Sequence, residues 1–460
     1  MQKRDGEKVV ILGAGRQGQA LAIYFSRANA DVTLSDIKPA DHLQSEFNAL
    51  ADYPIHWVTG SHPLSLLDSA DGIYVSGGAD LKIDFIQQAM KRGIPVKNDT
   101  ELFLENVTAS IIGITGSSGK TTTTTLVGRI AERAAAPGQN VWVGGNIGNP
   151  LLTLLDQIKP HDIVVLELSS FQLELTQHSP QIAAILNITP NHLDRHGTME
   201  AYVAAKRNLL AYQTKADKTV LNREDHYFME LQTRLPSQVI SFGMARGAET
   251  VTAQVFFEGA QLLIDNGSDT IPVLLKSEIS LRGQHNLMNV LAACAISFAA
   301  GFPVEAMRAG IIDFQGVAHR LQLVREKDGV RWYDDSIATA PERALAALNS
   351  FDEPVIMLLG GRDKKLPWTE LVAALHHKAK AAVLFGEAAD MIENALADED
   401  TGSPLIVRKA KELEEAVSIA DKLAVSGDVV LLSPGGTSYD AYRDFEERGK
   451  AFVKWVQTLI

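Results

Sequence analysis

Residues 111–130 read IIGITGSSGKTTTTTLVGRI, and this stretch decides the architecture. An apolar β-prone run, 111–114, leads into a glycine and serine turn. Lys120 and Thr121 then open a helix that carries the threonine run 121–125. Strand, glycine loop and helix in that order predict a loop for the phosphates of a nucleoside triphosphate. Its backbone N–H groups would face the β- and γ-phosphates, Lys120 would neutralise them, and the Thr121 hydroxyl would ligate Mg²⁺. Gly116, Ser117, Ser118, Gly119, Lys120, Thr121 and Thr122 are the candidate contacts. The full G-x-x-x-x-G-K-T spacing is not met, since Ile114 stands where its first glycine belongs. The plain alternative is a Gly/Ser turn that only caps a helix.

Outward from this stretch the same alternation continues. Apolar runs at 9–12, 163–168, 182–187, 355–359 and 429–432 are separated by amphipathic segments of helix length. That pattern predicts an α/β protein with mostly parallel sheets. Three blocks are expected: 1–100, a Rossmann-like domain; 101–316, the phosphate-loop domain; and 317–460, a second Rossmann-like domain. Within the second block, short β-rich pieces at 254–257, 262–264 and 271–275 predict a small antiparallel flap.

Composition narrows the function. With 43 Lys and Arg against 56 Asp and Glu, the formal charge is −13. Bulk charge of that sign disfavours nucleic acid and anionic membrane, so an anionic ligand needs a local site. The single cysteine, Cys294, rules out an internal disulfide and multi-cysteine zinc. No run is long and apolar enough to span a bilayer, and the N-terminus has no signal-peptide pattern. A cytoplasmic protein is expected.

Other motifs carry chemistry. GAGRQG, with Gly13, Gly15 and Gly18, follows a strand and opens a helix, and Asp36 ends the next strand. The turn would bring a diphosphate to the helix N-terminus, and Asp36 could hold a ribose hydroxyl. The spacing does not separate a dinucleotide from a UDP-sugar. Glu167 ends a hydrophobic strand, where a Mg²⁺ ligand or water-positioning acid belongs. Glu174, seven residues on, reads as a solvated helix position. His192, Asp194 and His196 form H-x-D-x-H; a loop histidine near Mg²⁺-nucleotide is as good a reading as a transition-metal site. Lys206 on a helix reads as a surface lysine. Asn286 and Asn289 lie one helical turn apart, placed to meet a purine or to cap.

In order along the chain, GAGRQG, TGSSGKTT, GGNIGNP, LELSSFQLE, LNITPNHLDRHG, the Lys206 helix, RGQHNLMN, His319-Arg320, DDSIAT, GGRDKK and SPGGTSYDAYRDFEERG resemble the Mur ligase family. GGNIG, LELSSFQLE and the C-terminal motif point to its glutamate-adding branch. The resemblance implies a monomeric, ATP-dependent amide-forming ligase of peptidoglycan precursor synthesis. It would join D-glutamate to UDP-N-acetylmuramoyl-L-alanine. Lys120 and Thr121 would bind ATP and Mg²⁺, and Glu167 would ligate Mg²⁺. His192 would hold a second Mg²⁺, and Lys206 aligns with the family's carbamoylated lysine. Asn286 and Asn289 would face adenine, and Arg320 and Asp335 would reach ATP from the third domain. Gly15, Arg16, Gln17, Asp36, Gly78, Asn146 and His192 would line the UDP-substrate site. Thr339, Lys364, Ser438 and Phe445 would line the amino-acid pocket.

One departure concerns that pocket. Ile337 stands where the family often has lysine in its S-K-A-T segment, which removes a charge beside the incoming amino acid. A family member using L-glutamate or another amino acid is therefore the nearest alternative. A nicotinamide-dependent oxidoreductase would account for Gly13, Gly15 and Gly18 but leave the phosphate loop unused. A switch-like nucleotide-binding protein would leave the first glycine turn unused.

Overall fold

The alternation of apolar runs and amphipathic helices produces three sheets. The computed structural model describes residues 3–77, 79–148, 150–399, 402 and 404–459, with Asp194 and Met229 described by backbone only. The first sheet holds β1 (Lys8–Leu12), β2 (Asp31–Asp36), β3 (Ile55–Thr59), β4 (Gly72–Val75) and β5 (Val96–Asn98) in the order β3-β2-β1-β4-β5. All four pairings are parallel. The order reverses at β1, so the crevice for a ligand opens at its carboxyl end, where the glycine turn sits. Gly13 has φ +90°, and a Cβ on Gly18 would lie 1.7 Å from the Gly13 carbonyl oxygen. These two glycines are demanded by the turn and by the close approach of the helix Arg16–Arg27.

The second sheet holds β6 (Ser110–Thr115), β7 (Val141–Gly145), β8 (Ile163–Glu167), β9 (Ile182–Ile185), β10 (Lys218–Asn222), β11 (Gln238–Phe242), β12 (Ala253–Glu258), β13 (Gln261–Asp265) and β14 (Thr270–Leu275). Their order is β14-β13-β12-β11-β10-β9-β6-β8-β7. β12, β13 and β14 form the expected antiparallel segment, but β12 also pairs in parallel with β11. The flap is thus an extension of the main sheet. Its outer strand, β14, carries Pro272, and the β13–β14 ladder shifts register at Leu262/Leu263. β6 lies between β8 and β9, with Ile114 level with Glu167 and Thr115 level with Ile185. Three strand ends therefore converge on the glycine loop.

The chain divides into two compact units: residues 1–280 with 284–314, and residues 281–283 with 315–460. The first unit contains both of these sheets. One apolar cluster joins them, running from Leu21 and Phe25 through Leu102 and Phe103 to Leu151, Leu166 and Leu168. The second unit holds β15 (Gln322–Lys327), β16 (Val330–Asp334), β17 (Val355–Gly360), β18 (Ala379–Phe385), β19 (Ile406–Lys409) and β20 (Val429–Gly435), ordered β15-β16-β20-β17-β18-β19. Only the β15 edge pairs antiparallel. Leu348, Phe351, Leu371 and Leu375 cover one face of this sheet, and Val417, Ala420 and Phe452 the other. Coverage on both faces explains why its strands read as unbroken apolar runs. No helix of the described residues is long and apolar enough to cross a membrane.

The two helix-start glycines make separable demands. Gly18→Ala should cost about 2 kcal/mol or more in denaturant unfolding, because the backbone must move to admit the methyl. Gly15→Ala should cost less than about 1 kcal/mol, since a Cβ there meets nothing within 4 Å.

Candidate functional site

The phosphate loop is held from the neighbouring strand. Asn187, just beyond β9, accepts from Ser117 N at its backbone oxygen (2.9 Å) and from Ser118 N at Oδ1 (2.8 Å). It also donates from Nδ2 to the Ser118 carbonyl at 3.1 Å. Ser117 Oγ meets the Thr189 backbone and lies 2.9 Å from the Tyr202 hydroxyl. The amides of Ser117 and Ser118 are thus engaged by Asn187. The anion-directed groups belong to the first turn of the helix Lys120–Ala134, whose N–H groups have no carbonyl ahead of them in the helix. Thr121 is half-buried in that turn and Thr122 is buried. Asn289 packs so closely on the loop that a Cβ on Gly119 (φ +78°) would lie 2.2 Å from its Oδ1. It donates to Asn286 Oδ1 at 3.0 Å, so the two asparagines share a face as the spacing predicted.

Two lysines converge on one acceptor. Lys120 Nζ donates to the Gly116 carbonyl at 3.0 Å, and Lys206 Nζ donates to the same oxygen at 2.9 Å. Lys206 is only 1% exposed, not the surface lysine that a lone helical position suggested, and it sits 4.7 Å from the Tyr202 ring centroid. Burial lowers its pKa from 10.5 to about 7, and the nearby Lys120 charge adds to the effect.

Glu167, at the end of the adjacent strand β8, is buried. Its Oε1 accepts from Asn146 Nδ2 at 2.9 Å. Its Oε2 is buried without a hydrogen-bond partner. An unpaired acidic oxygen withdrawn from water fits a hard cation such as Mg²⁺. Glu174 is not solvated as expected: Oε1 lies 3.0 Å from His196 Nδ1, and burial raises its pKa. His196 Nε2 meets Ser170 Oγ at 2.9 Å, so both of its ring nitrogens are in use, while the Asp194 side chain of H-x-D-x-H lies outside what the structure describes. Among the described residues no group of three or more His, Cys, Asp or Glu is placed for a metal ion. His192 is exposed in the left-handed region (φ 54°), its ring 5.2 Å from that of Phe171.

At the first glycine turn, Gly15 and Arg16 are exposed and no neighbour crowds Gly15. Gln17 Oε1 accepts from Gly77 N at 2.7 Å. Asp36, which the sequence offers to a ribose hydroxyl, accepts from Ala14 N at Oδ2 and from Lys38 N at Oδ1, both at 2.8 Å. Each carboxylate oxygen keeps a further lone pair for a ligand. Gly78 lies outside the described residues.

In the second unit, Thr339 and Lys364 meet at 3.1 Å (Nζ to Oγ1), 25 residues apart in sequence. Asp335 accepts from Ser433 Oγ at 2.8 Å and from Leu321 N; burial pushes its carboxyl up to about 7 against these bonds and the charge of Arg320. Sequence reasoning passed over Arg448, which is fully buried. Its guanidinium donates to Ser336 Oγ, the Ser336 carbonyl and the Gly436 carbonyl. It ties the 334–339 segment to the 433–438 segment, and Ser336 Oγ extends the tie to the Phe445 carbonyl. Ser438 is buried and Phe445 half-buried at the start of the helix Phe445–Thr458.

Family models match in the same order as the sheets. They are the Mur ligase MurD-like N-terminal domain (7–98), the Mur ligase middle domain (114–297) and the Mur ligase glutamate ligase domain (319–436). Proteins named UDP-N-acetylmuramoylalanine–D-glutamate ligase are similar over nearly the whole chain. That of Symbiobacterium thermophilum is 39% identical over 453 residues, 98% of each chain. That of Acidobacterium capsulatum is 40% identical, covering 97% of this chain and 95% of its own. Among solved structures, UDP-N-acetylmuramate–alanine ligase of Thermotoga maritima matches at TM-score 0.58 and 19% identity, covering 98% and 99% of the two chains. MurF of Acinetobacter baumannii matches at TM-score 0.60 and 16% identity, covering 97% and 93%. These two likenesses concern the fold.

Lys206 carries a stability signature. Its folded pKa lies below its unfolded one, so the unfolded chain binds the extra proton between about pH 7 and 10.5. Over that window the Lys206 contribution to stability rises with pH. In CO₂-free buffer, Lys206→Met should be more stable than wild type near pH 7, with the difference shrinking toward pH 10. Denaturant midpoints at four or five pH values would check this, and a gap that stays constant or widens would reject it.

Proposed function

The chain belongs to the Mur ligase family, and we propose that it joins D-glutamate to UDP-N-acetylmuramoyl-L-alanine at the expense of ATP, in peptidoglycan precursor synthesis. The observation that carries this reading is the shared Gly116 carbonyl. Lys120 and Lys206 are brought to one point at the mouth of a phosphate loop, and Glu167, an acid with an unpaired oxygen, ends the adjacent strand β8. An oxidoreductase has no use for that arrangement, and a simple nucleotide switch has no use for the first glycine turn.

The chemistry follows from the groups present. A carboxylate is a poor acyl donor because its leaving group would be oxide. Attack of the substrate carboxylate on the γ-phosphorus of ATP forms a C–O–P link and releases ADP. The glutamate amine then attacks the acyl carbon, and phosphate leaves with the C–O bond electrons as the amide forms. The protein's share is positioning and charge. Lys120 is suited to leave the Gly116 carbonyl for the phosphoryl oxygens, and the helix N-terminus beneath it adds partial positive charge. Gly15, Arg16 and Gln17 offer the turn for the UDP diphosphate, with Asn146 and His192 nearer the reacting carboxylate. Asn286, Asn289, Arg320 and Asp335 are proposed for the rest of ATP.

Thr121, Glu167, His192 and a carbamoylated Lys206 are proposed to hold two Mg²⁺ ions, whose charge would neutralise the phosphoryl oxygens. Carbamoylation requires a neutral amine: RNH₂ and CO₂ give RNHCOO⁻ and a proton. A lysine near pKa 7 supplies that amine at physiological pH, whereas one at 10.5 does not. The product converts a buried cation into an oxygen ligand. ¹³C-bicarbonate should label wild type and leave Lys206→Met unlabelled by ¹³C NMR.

For the amino acid we propose Thr339, Lys364, Ser438 and Phe445. Ile337 offers no charge, so the side-chain carboxylate falls to Lys364, which lies beside Thr339 Oγ1.

The deciding assay is phosphate release and amide formation with UDP-N-acetylmuramoyl-L-alanine across amino acids of both hands. D-Glutamate should be preferred; turnover restricted to L-glutamate or a neutral amino acid would overturn the assignment of the donor. Lys120→Ala should lower turnover by about 10² or more, as for loss of a preorganised donor to developing charge. Lys364→Ala should raise the KM for glutamate about tenfold or more, since a charge-assisted hydrogen bond is worth about 1.5–3 kcal/mol. The KM for ATP should barely move; an equal rise in both would place Lys364 elsewhere.

A further inference from the structure

Two glutamines close on one glycine from opposite sides of the junction between the first and second sheets. Gly77 follows β4, beside the turn that faces the diphosphate. Its N–H donates to Gln17 Oε1 at 2.7 Å. A Cβ on Gly77 would lie 2.8 Å from that oxygen and 3.2 Å from Cγ of Gln172, which comes from the Glu167 segment of the second sheet. Gly77 does not have positive φ, so a side chain there would be opposed only by these two glutamines.

Gln172 is anchored again at the start of the helix Asp99–Asn106, which joins the two sheets. Gln17 spends its oxygen on Gly77, and its side chain opposes the upward shift that burial gives the Asp99 carboxyl. Gln172 is 1% exposed and donates from Nε2 to Thr100 Oγ1 at 2.9 Å. Its Oε1 accepts from Ser169 N and Ser169 Oγ, both at 3.0 Å, two residues beyond Glu167. Its backbone oxygen accepts from Asn98 Nδ2 at 2.7 Å. Gly77 is thus bonded to Gln17 and lies against Gln172, and Gln172 is bonded in turn to Thr100 and to Ser169. Asp99 Oδ1 is buried without a partner, and burial pushes the carboxyl up to about 6. A packing contact alone would be better made with apolar side chains.

We propose that Gln17, Asp99, Thr100 and Gln172 form a polar clasp that sets the spacing between the diphosphate-binding turn and the Glu167 strand end. The proposal rests on the reaction assigned above. A substrate gripped by its UDP end must deliver a carboxylate to the phosphate loop, and the clasp fixes where that carboxylate arrives. These four are positioning residues: they act through Gly77 and Ser169 and touch no reacting atom.

The test compares Thr100→Val, Thr100→Ser and Gln172→Met in the full-length protein. Thr100→Val keeps the shape and removes the acceptor for Gln172, while Thr100→Ser restores it. Misplacement of about 1 Å at a reacting centre can cost on the order of 10²-fold. Thr100→Val and Gln172→Met should therefore lose about tenfold or more in kcat. Calorimetric Kd for UDP-N-acetylmuramoyl-L-alanine and KM for ATP should stay within about threefold. Thr100→Ser should recover most of the kcat. In Thr100→Val the Ser169 amide should exchange hydrogen about tenfold faster than in wild type, a readout independent of turnover. Wild-type kcat in a folded Thr100→Val, or equal losses of kcat and both affinities, would overturn the clasp. Inactive wild type would overturn the assigned reaction instead, and the clasp would then stand or fall on the exchange rate at Ser169.

Discussion

One carbonyl oxygen, that of Gly116, takes hydrogen bonds from two lysines at once. Two ammonium groups at that separation repel, and the buried member has no water to spread its charge. The arrangement survives because the backbone around it is rigid. Asn187 pins Ser117 and Ser118, Asn289 fills the space that any side chain at position 119 would need, and three adjacent parallel strands end at the same level. Neutralising either lysine relieves the conflict. Phosphoryl oxygens would do this for Lys120, and the carbamoylation proposed above would do it for Lys206.

Much of this could be read from residue order, and the limits have physical causes. Strand runs, the glycine turn and the phosphate loop are local patterns, so the three sheets were predictable from spacing. Thr339 and Lys364 came together because each follows a strand end, and parallel sheets collect such ends on one edge. Depth was not readable. A helical lysine looks the same whether it faces water or lies against Tyr202, so its spacing alone made Lys206 a surface residue and only the family resemblance marked it as functional. Asp36 shows a second limit: an acid after β2 suits a ribose hydroxyl, and only the structure shows that it also accepts from two backbone amides of the turn. Asn187 stood inside a quoted motif unnoticed, because its partners become neighbours only once β9 is known to lie beside β6.

The second unit follows the same economy with a different element. Arg448 is an arginine with no exposed surface, its pKa lowered from 12.5 to about 10 chiefly by burial. It gathers two strand-end segments that share no contiguous sequence. Such a group is expensive to bury and strongly destabilising to remove, because its partners would be left unpaired. The Asp334 carboxylate in contact with His319 Nδ1 at 2.7 Å adds a second buried polar pair. Rigidity in the loops proposed for the amino acid is thus built from buried charge, where the rest of the sheet relies on apolar packing.

The outermost strand of the large sheet has a consequence of another kind. TIPVLL is apolar and β-prone, and a strand of that composition with an open ladder is a template for a neighbouring chain. Pro272 has no N–H to offer such a chain, and the slipped register beneath it bends the edge away from flatness. These two irregularities cost the sheet a little cohesion. In return, at the high concentrations met during synthesis, the protein carries its own protection against cross-linking into fibrous aggregates.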